Sequence, residues 1–369
     1  MKRMLCNARV PRRLGHALIV ALFVGAATAL AAAPASGLRK PAATEAPLHA
    51  ASQPSHEQAL KLQIAALERA RSAVVGVRTI AIDDATSNET LGPVRMGSGV
   101  VIDADGLVLT IGYLVVEAQR VDLLLPQDRV VPARVVAYDV ATGFGLLQAL
   151  VPLHLTPAPM GDASTTSSDE PMMIASGGED GGVSLAKLMA RREFSGYWEY
   201  HLETALFTSP PRVDHSGAAL FNSQGELLGI GSLVMSDVLG PDEPRMPGNM
   251  FVPVDLLKPI LSELRAQGSS HASQRAWLGV NCVEQAGEVR VIKVSKDSPA
   301  DAAGLRPGDR IERIDADQVS NLAGFYKNLW HTDQAERDID LTIQRSGETL
   351  NVIVRSQDRV KTLRRPQGI

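Results

Sequence analysis

Ser216 stands in the run Asp214-His215-Ser216-Gly217-Ala218-Ala219-Leu220-Phe221, a polar turn that passes through small residues into an apolar strand. An alcohol on such a turn can attack a carbonyl carbon, provided a neighbouring group takes up its proton near neutral pH. Few groups along the chain offer themselves. His215 adjoins the serine, and neighbouring side chains on a tight turn diverge. His154 and His201 read as surface or pairing residues, and Asp139 as a turn residue at a strand end. Lys187 could act only if the fold carried it to Ser216, and no spacing places it there. The glycine-rich stretch Gly177-Gly178-Glu179-Asp180-Gly181-Gly182 reads as a flexible acidic loop; it lacks the lysine of a phosphate cradle. No metal cluster or cofactor motif is expected.

The elements that must hold these residues are short. From Ser72 to Gln267 the chain alternates β-rich runs with Gly, Pro and Asp turns: 74–77, 99–102, 107–110, 121–125, 133–137, 145–150, 171–175, 201–204, 218–221 and 227–234. Many short strands at this spacing predict a sandwich or a pair of barrels. Leu60, Ile64 and Leu67 fall at helical spacing and predict an amphipathic helix over 57–71 in front of them. Asp255 to Gln267, with Leu256, Leu257, Ile260, Leu261 and Leu264 on one stripe, predicts a closing helix. A small-polar linker, 268–275, leads to a second unit over 276–358 and a basic tail over 359–369.

The first residues predict the compartment. Lys2, Arg3, Arg9, Arg12 and Arg13 precede an apolar run from Ala17 to Ala33 that ends in small residues, the layout of a cleaved secretory signal over 1–33. An Ala, Pro and Ser-rich tether follows over 34–56. Of the two cysteines, Cys6 lies in the leader, so Cys282 would remain as a lone thiol unable to form an internal disulfide. Export without disulfides points to a bacterial periplasm, with no stable membrane span once the leader is removed. The chain holds 37 Lys+Arg and 41 Asp+Glu; five of the basic residues and no acidic one precede residue 34, leaving the remainder near −9. That balance excludes an electrostatic match to nucleic acid.

Four motifs in order carry a resemblance. Met96-Gly97-Ser98-Gly99-Val100-Val101-Ile102-Asp103-Ala104-Asp105-Gly106 resembles the entry to the strand before the histidine in the HtrA (Deg) family of trypsin-like serine proteases. Asp139-Val140-Ala141-Thr142-Gly143-Phe144-Gly145-Leu146-Leu147 is similar to that family's aspartate strand. The stretch from His215 to Ile230 is similar to its nucleophile turn, and Met250-Phe251-Val252-Pro253-Val254 to its last strand. The resemblance implies a mainly β fold, a trypsin-like double six-stranded β-barrel over 72–267. It also implies a PDZ domain, a β sheet with two helices, carried by Ala276-Trp277-Leu278-Gly279-Val280 and by the run from Ser298 to Ile311. In such a domain Trp277, Leu278, Gly279 and Val280 would form a carboxylate-binding loop, with Phe325 and Leu329 on the helix beside the groove facing strand or ligand. The implied partners are polypeptide C-termini.

The departures from the family pattern are specific. Ser216 keeps the nucleophile position, but Tyr113 stands where the family has its histidine and Gly143 where it has its aspartate. A tyrosine of ordinary pKa, about 10, is a proton donor at neutral pH. Asp214 replaces the glycine that turns amides toward the oxyanion, and its charge would oppose an anion there. The segment from Thr204 to Ser216 is longer than the family motif, with Pro210-Pro211 in the extra length. The sequence therefore predicts an exported, catalytically impaired binder of polypeptide C-termini or misfolded chains, serving envelope protein quality control. Two other readings stay open: an active serine endopeptidase with an unorthodox base, and a regulatory or scaffold subunit of active relatives. Family members commonly trimerise through aromatic residues near the protease N-terminus, but no Phe, Tyr or Trp lies between Ala33 and Tyr113. Homo- or hetero-oligomers both remain open.

Overall fold

The computed structural model describes residues 56–240 and 243–364. The expected leader and nearly all of the tether lie outside the described residues, as does the tail from 365 onward. No helix of the described residues is long and apolar enough to cross a membrane.

Helix α1, His56–Ser72, leads into the first barrel. Leu67 and Ala70 are buried while Glu57 and Lys61 pair at 2.6 Å on its exposed face, so the helix packs by its apolar stripe. Six strands close the barrel: β1 Val74–Ala81, β2 Val94–Val101, β3 Leu107–Ile111, β4 Ala118–Leu124, β5 Val130–Tyr138 and β6 Phe144–Ala149, in the order β1-β2-β3-β6-β5-β4. A four-residue helix, α2 Asn88–Leu91, lies between β1 and β2. The second barrel repeats this connectivity with β7 Met172–Ala175, β8 Val183–Gly196, β9 Tyr200–Ser209, β10 Ala219–Phe221, β11 Leu227–Met235 and β12 Gly248–Pro253. Phe207, Phe221 and Phe251 are fully buried in it, each contributing about 1.5–3 kcal/mol relative to exposure. The fold is the expected double six-stranded β-barrel.

The closing helix is shorter than its apolar stripe predicts. A 3-10 turn over Val254–Leu256 is followed by α3, Leu261–Gln267. Pro259 interrupts the run because it has no N–H to donate to the preceding turn. The linker is also more fixed than its composition suggests. Ser270 and Ser273 are buried, and both hydroxyls donate to Asp139 of the first barrel.

The second unit is a sheet flanked by two helices. Strands β13 Ala276–Trp277, β14 Val280–Gln285, β15 Glu288–Val294, β16 Arg310–Ile314, β17 Asp317–Gln318, β18 Asp338–Arg345, β19 Glu348–Arg355 and β20 Gln357–Asp358 accompany α4, Pro299–Ala302, and α5, Leu322–Leu329. The main sheet runs β14-β15-β16-β18-β19, which leaves β14 at an edge. On β18, Ile339, Leu341 and Ile343 alternate inward, the period-2 pattern of a sheet covered on one face. Beyond β20 the tail does not trail away: the Arg364 amide donates to Glu117 of the first barrel at 3.2 Å, and its guanidinium pairs with Asp84.

Candidate active site and carboxylate-binding loop

Tyr113 lies on a 3-10 turn, Gly112–Leu114, directly after β3. Arg95, almost wholly buried, fixes that turn by donating Nη1 to the carbonyls of Tyr113 at 3.1 Å and Val116 at 2.6 Å, and Nε to Gly92 at 3.1 Å. Ser216 sits in the β9–β10 connection. Its carbonyl accepts from the Ser98 amide on β2 at 2.8 Å, and the Gly217 amide donates to Gly231 on β11 at 2.9 Å. Gly217 has φ +71°, and a Cβ there would stand 2.0 Å from the Ser98 carbonyl oxygen, so the turn is wedged between the barrels in a way glycine permits.

Tyr113 Oη lies 2.9 Å from Ser216 Oγ and 2.9 Å from the Ser232 carbonyl. Ser232 falls where the β11–β12 register shifts, and such a bulge leaves its extra residue unpaired in the ladder. A phenol has one proton, and a carbonyl only accepts. Both contacts are satisfied when the phenol donates to Ser232 and the serine hydroxyl donates to the phenol oxygen. Burial pushes the Tyr113 pKa up to about 12, outweighing the hydrogen bond from Ser216, so the ring is neutral near pH 7. The group bonded to the serine is thus a very poor base in its neutral form and scarcely ever an anion.

Gly143 occupies the β5–β6 turn at φ +80°, and a Cβ there would lie 2.9 Å from the Tyr200 hydroxyl, which donates to the Thr142 carbonyl at 2.5 Å. The nearby Asp139 is fully buried. It accepts from the Thr142 amide at 2.9 Å and hydroxyl at 2.6 Å, the Ser270 amide at 3.1 Å and the Ser273 hydroxyl at 2.6 Å, besides the Ser270 hydroxyl. Burial raises its pKa, but the bonds from Ser270, Ser273 and Thr142 win and leave it lowered. It is a structural carboxylate committed to the linker, as a turn residue with extra duty.

The remaining candidates are placed apart. His215 Nδ1 is 3.0 Å from the Val213 carbonyl; the carbonyl accepts, which puts the proton on Nδ1 and commits the ring to its own turn. His154 and Lys187 are exposed, the latter on β8. His201 is buried on β9, its Nδ1 2.9 Å from Ser195 Oγ. Of these side chains, Tyr113 is the one the fold brings to Ser216. Asp214 is paired: Arg212 Nε donates to it at 2.9 Å, and Arg212 Nη2 and the Ser176 hydroxyl also bond it. Its negative charge is therefore offset by Arg212, which moderates the repulsion expected from sequence. The Pro210-Pro211 segment is pinned by buried Asn249, whose Oδ1 accepts from the Arg212 amide at 2.7 Å. The Gly177–Gly182 loop is a closed turn: the Ser176 amide bonds the Gly182 carbonyl at 3.0 Å, and the Gly177 amide bonds Ser98 Oγ at 2.9 Å.

In the second unit the amides of Leu278, Gly279 and Val280 converge on one carboxylate, that of Glu199, at 2.8, 3.0 and 3.2 Å. Trp277 pairs with Gln357 across β13–β20 and carries the Arg359 guanidinium over its ring at 4.9 Å. Phe325 and Leu329 are fully buried in the core of the second unit.

Residues 97–230 match the family model of a trypsin-like peptidase domain, and residues 276–355 match that of a PDZ domain. The mitochondrial serine protease HTRA2 of Bos taurus is 26% identical over 317 residues, covering 78% of this chain and 65% of that protein. The periplasmic serine endoprotease DegP of Escherichia coli K12 is 25% identical over 269 residues, covering 70% and 56%. The chain is similar to HtrA proteases across both of its units. It spans between half and two thirds of the length of these HtrA relatives. Among solved structures, the HtrA-type protease AlgW with tripeptide superposes at TM-score 0.51 with 21% identity, covering 80% of this chain and 97% of that one. The serine endoprotease from Yersinia pestis superposes at 0.50. Both share the HtrA fold.

Three residues of this candidate site escape a reading of the sequence. Arg95 lies in a strand whose apolar neighbours gave no sign of a buried guanidinium. Tyr326 on α5 donates to the Gly196 carbonyl at 2.8 Å and accepts from the Glu199 amide at 3.1 Å. Glu199 comes from the tip of the β8–β9 hairpin, 79 residues before the loop it enters. No local spacing links them.

Proposed function

We propose that this is an exported HtrA-like protein with little or no peptidase activity, which binds polypeptide C-termini or misfolded chains through its PDZ domain in envelope protein quality control. One observation carries the reading. Ser216 Oγ is hydrogen-bonded to a phenol that is neutral near pH 7 and itself tied to Ser232, so its proton has no acceptor of suitable basicity. Loss of one member of a serine, histidine and aspartate set costs about 10⁴ to 10⁶ in turnover, and here two positions differ. The periplasmic relatives and the apolar leader support export.

Reaction with a fluorophosphonate tests the catalytic half. The expected outcome is no adduct on Ser216 over a time that saturates an active serine protease. Stoichiometric labelling that disappears in Ser216→Ala would replace this reading with that of a working peptidase.

A further inference from the structure

The second unit's groove is not empty. β14 is an edge strand, and an edge of this kind accepts an extended peptide by backbone pairing while successive amides hold the terminal carboxylate. Here the Cys282 amide on β14 donates to the Tyr197 carbonyl at 2.9 Å. Two residues earlier on the same edge, the Val280 amide meets the Glu199 carboxylate at 3.2 Å. The Tyr197 carbonyl thus takes a backbone donor of the edge that an added strand would use, while the Glu199 side chain takes the amide two residues before it. Tyr326 on α5 clasps it from the other side, bonding both the Gly196 carbonyl and the Glu199 amide. Glu199 holds a positive φ of 57°, a conformation uncommon for a side chain of this size, so the surrounding contacts hold the backbone in a sparsely populated region.

We infer that the β8–β9 turn is a built-in ligand of the PDZ groove, the Glu199 side-chain carboxylate standing where a peptide's terminal carboxylate would bind, so that an incoming C-terminus must displace it. This rests on the proposed reading of the groove as a site for polypeptide C-termini. The partner so selected is a peptide whose terminal carboxylate and backbone together replace the bonds of Glu199 and Tyr197. Its apparent affinity is its intrinsic affinity multiplied by the fraction of molecules in which the turn has left.

The test uses the full chain with Glu199→Gln, which keeps the side chain's shape but presents an amide nitrogen to N–H donors. Tyr326→Phe is a milder second variant. Thermal melts confirm that each folds. Amide exchange at Leu278 to Cys282 reads the internal contact: faster exchange in Glu199→Gln is expected, and unchanged exchange would overturn the inference. Anisotropy of a fluorescein-labelled peptide, Phe-Ser-Gly-Tyr-Trp-Val with a free carboxylate, reads the groove. Binding at least roughly tenfold tighter in Glu199→Gln than in the parent, lost when the peptide is amidated, is the expected result. Equal binding by both would overturn the built-in ligand while leaving the peptide-binding reading standing. Faster exchange with no peptide binding by either protein would sustain the internal contact and overturn the peptide-binding reading.

Discussion

At the residue scale, Tyr113 stands where the resemblance puts an imidazole, and this was legible in the sequence because the threonine of β3 fixes the count to that position. The consequences of Gly143 were not. The position can be read as lacking a carboxylate, but the positive φ and the Tyr200 hydroxyl at 2.9 Å from a virtual Cβ appear only in three dimensions. Restoring the missing pair with Tyr113→His and Gly143→Asp is therefore expected to yield a less stable protein without casein cleavage. The aspartate would carry about 1–3 kcal/mol of backbone strain in addition to the clash with Tyr200. Thermal unfolding of Gly143→Asp alone measures the first part, and a zymogram of the double variant the second. An active double variant would show that neither Asp214 nor the strained turn stands in the way.

At the element scale, the runs of β1 to β7 and β9 to β11 announce themselves by clustered aliphatic residues between turns, and β12 by the family resemblance of Met250 to Val254. The longest strand, β8, does not. Its sequence mixes Lys187, Arg191, Arg192 and Glu193 with apolar residues because much of the strand is only half-buried, and that removes the contrast on which periodicity depends. Missing β8 hides the hairpin, and with it the turn that enters the groove. The linker offers the opposite lesson. Small polar residues suggest slack, whereas Ser270 and Ser273 saturate Asp139. Asp139→Asn is expected to lose about 2–4 kcal/mol, since its amide nitrogen would face donors in a buried site. Asp139 has a lowered pKa, so its contribution is present above the unfolded-state carboxyl range and lost as pH falls through the folded value. Urea unfolding of the parent at pH 7 and pH 3, compared with the variant, should show a smaller acid loss in Asp139→Asn; identical losses would assign the acid sensitivity elsewhere.

At the scale of the whole molecule, the two halves meet through a titratable contact. Burial pushes the Glu199 pKa up to about 7, against the amides of Leu278, Gly279 and Val280 and the Arg359 charge, which pull it down. The Cys282 thiol and Tyr326 hydroxyl also face it, both raised by burial themselves. A carboxyl raised on folding binds its proton more tightly in the folded state, so stability falls as pH climbs from the unfolded value near 4.5 through 7. The melting temperature is expected to drop between pH 5 and 8, reflecting a change on the order of 3 kcal/mol, and Glu199→Gln should flatten that slope. An equal slope in both proteins would place the titrating group outside the groove.

The C-terminal segment gives this contact a second meaning. Because Arg364 returns to Asp84 and Glu117 on the first barrel while the hairpin of the second barrel enters the groove, the second unit is fastened at two places besides its linker. Unlatching one leaves the other as a hinge. A visitor that evicts Glu199 would swing the domain open rather than set it adrift, and the same chain could close over its own groove again once the visitor leaves.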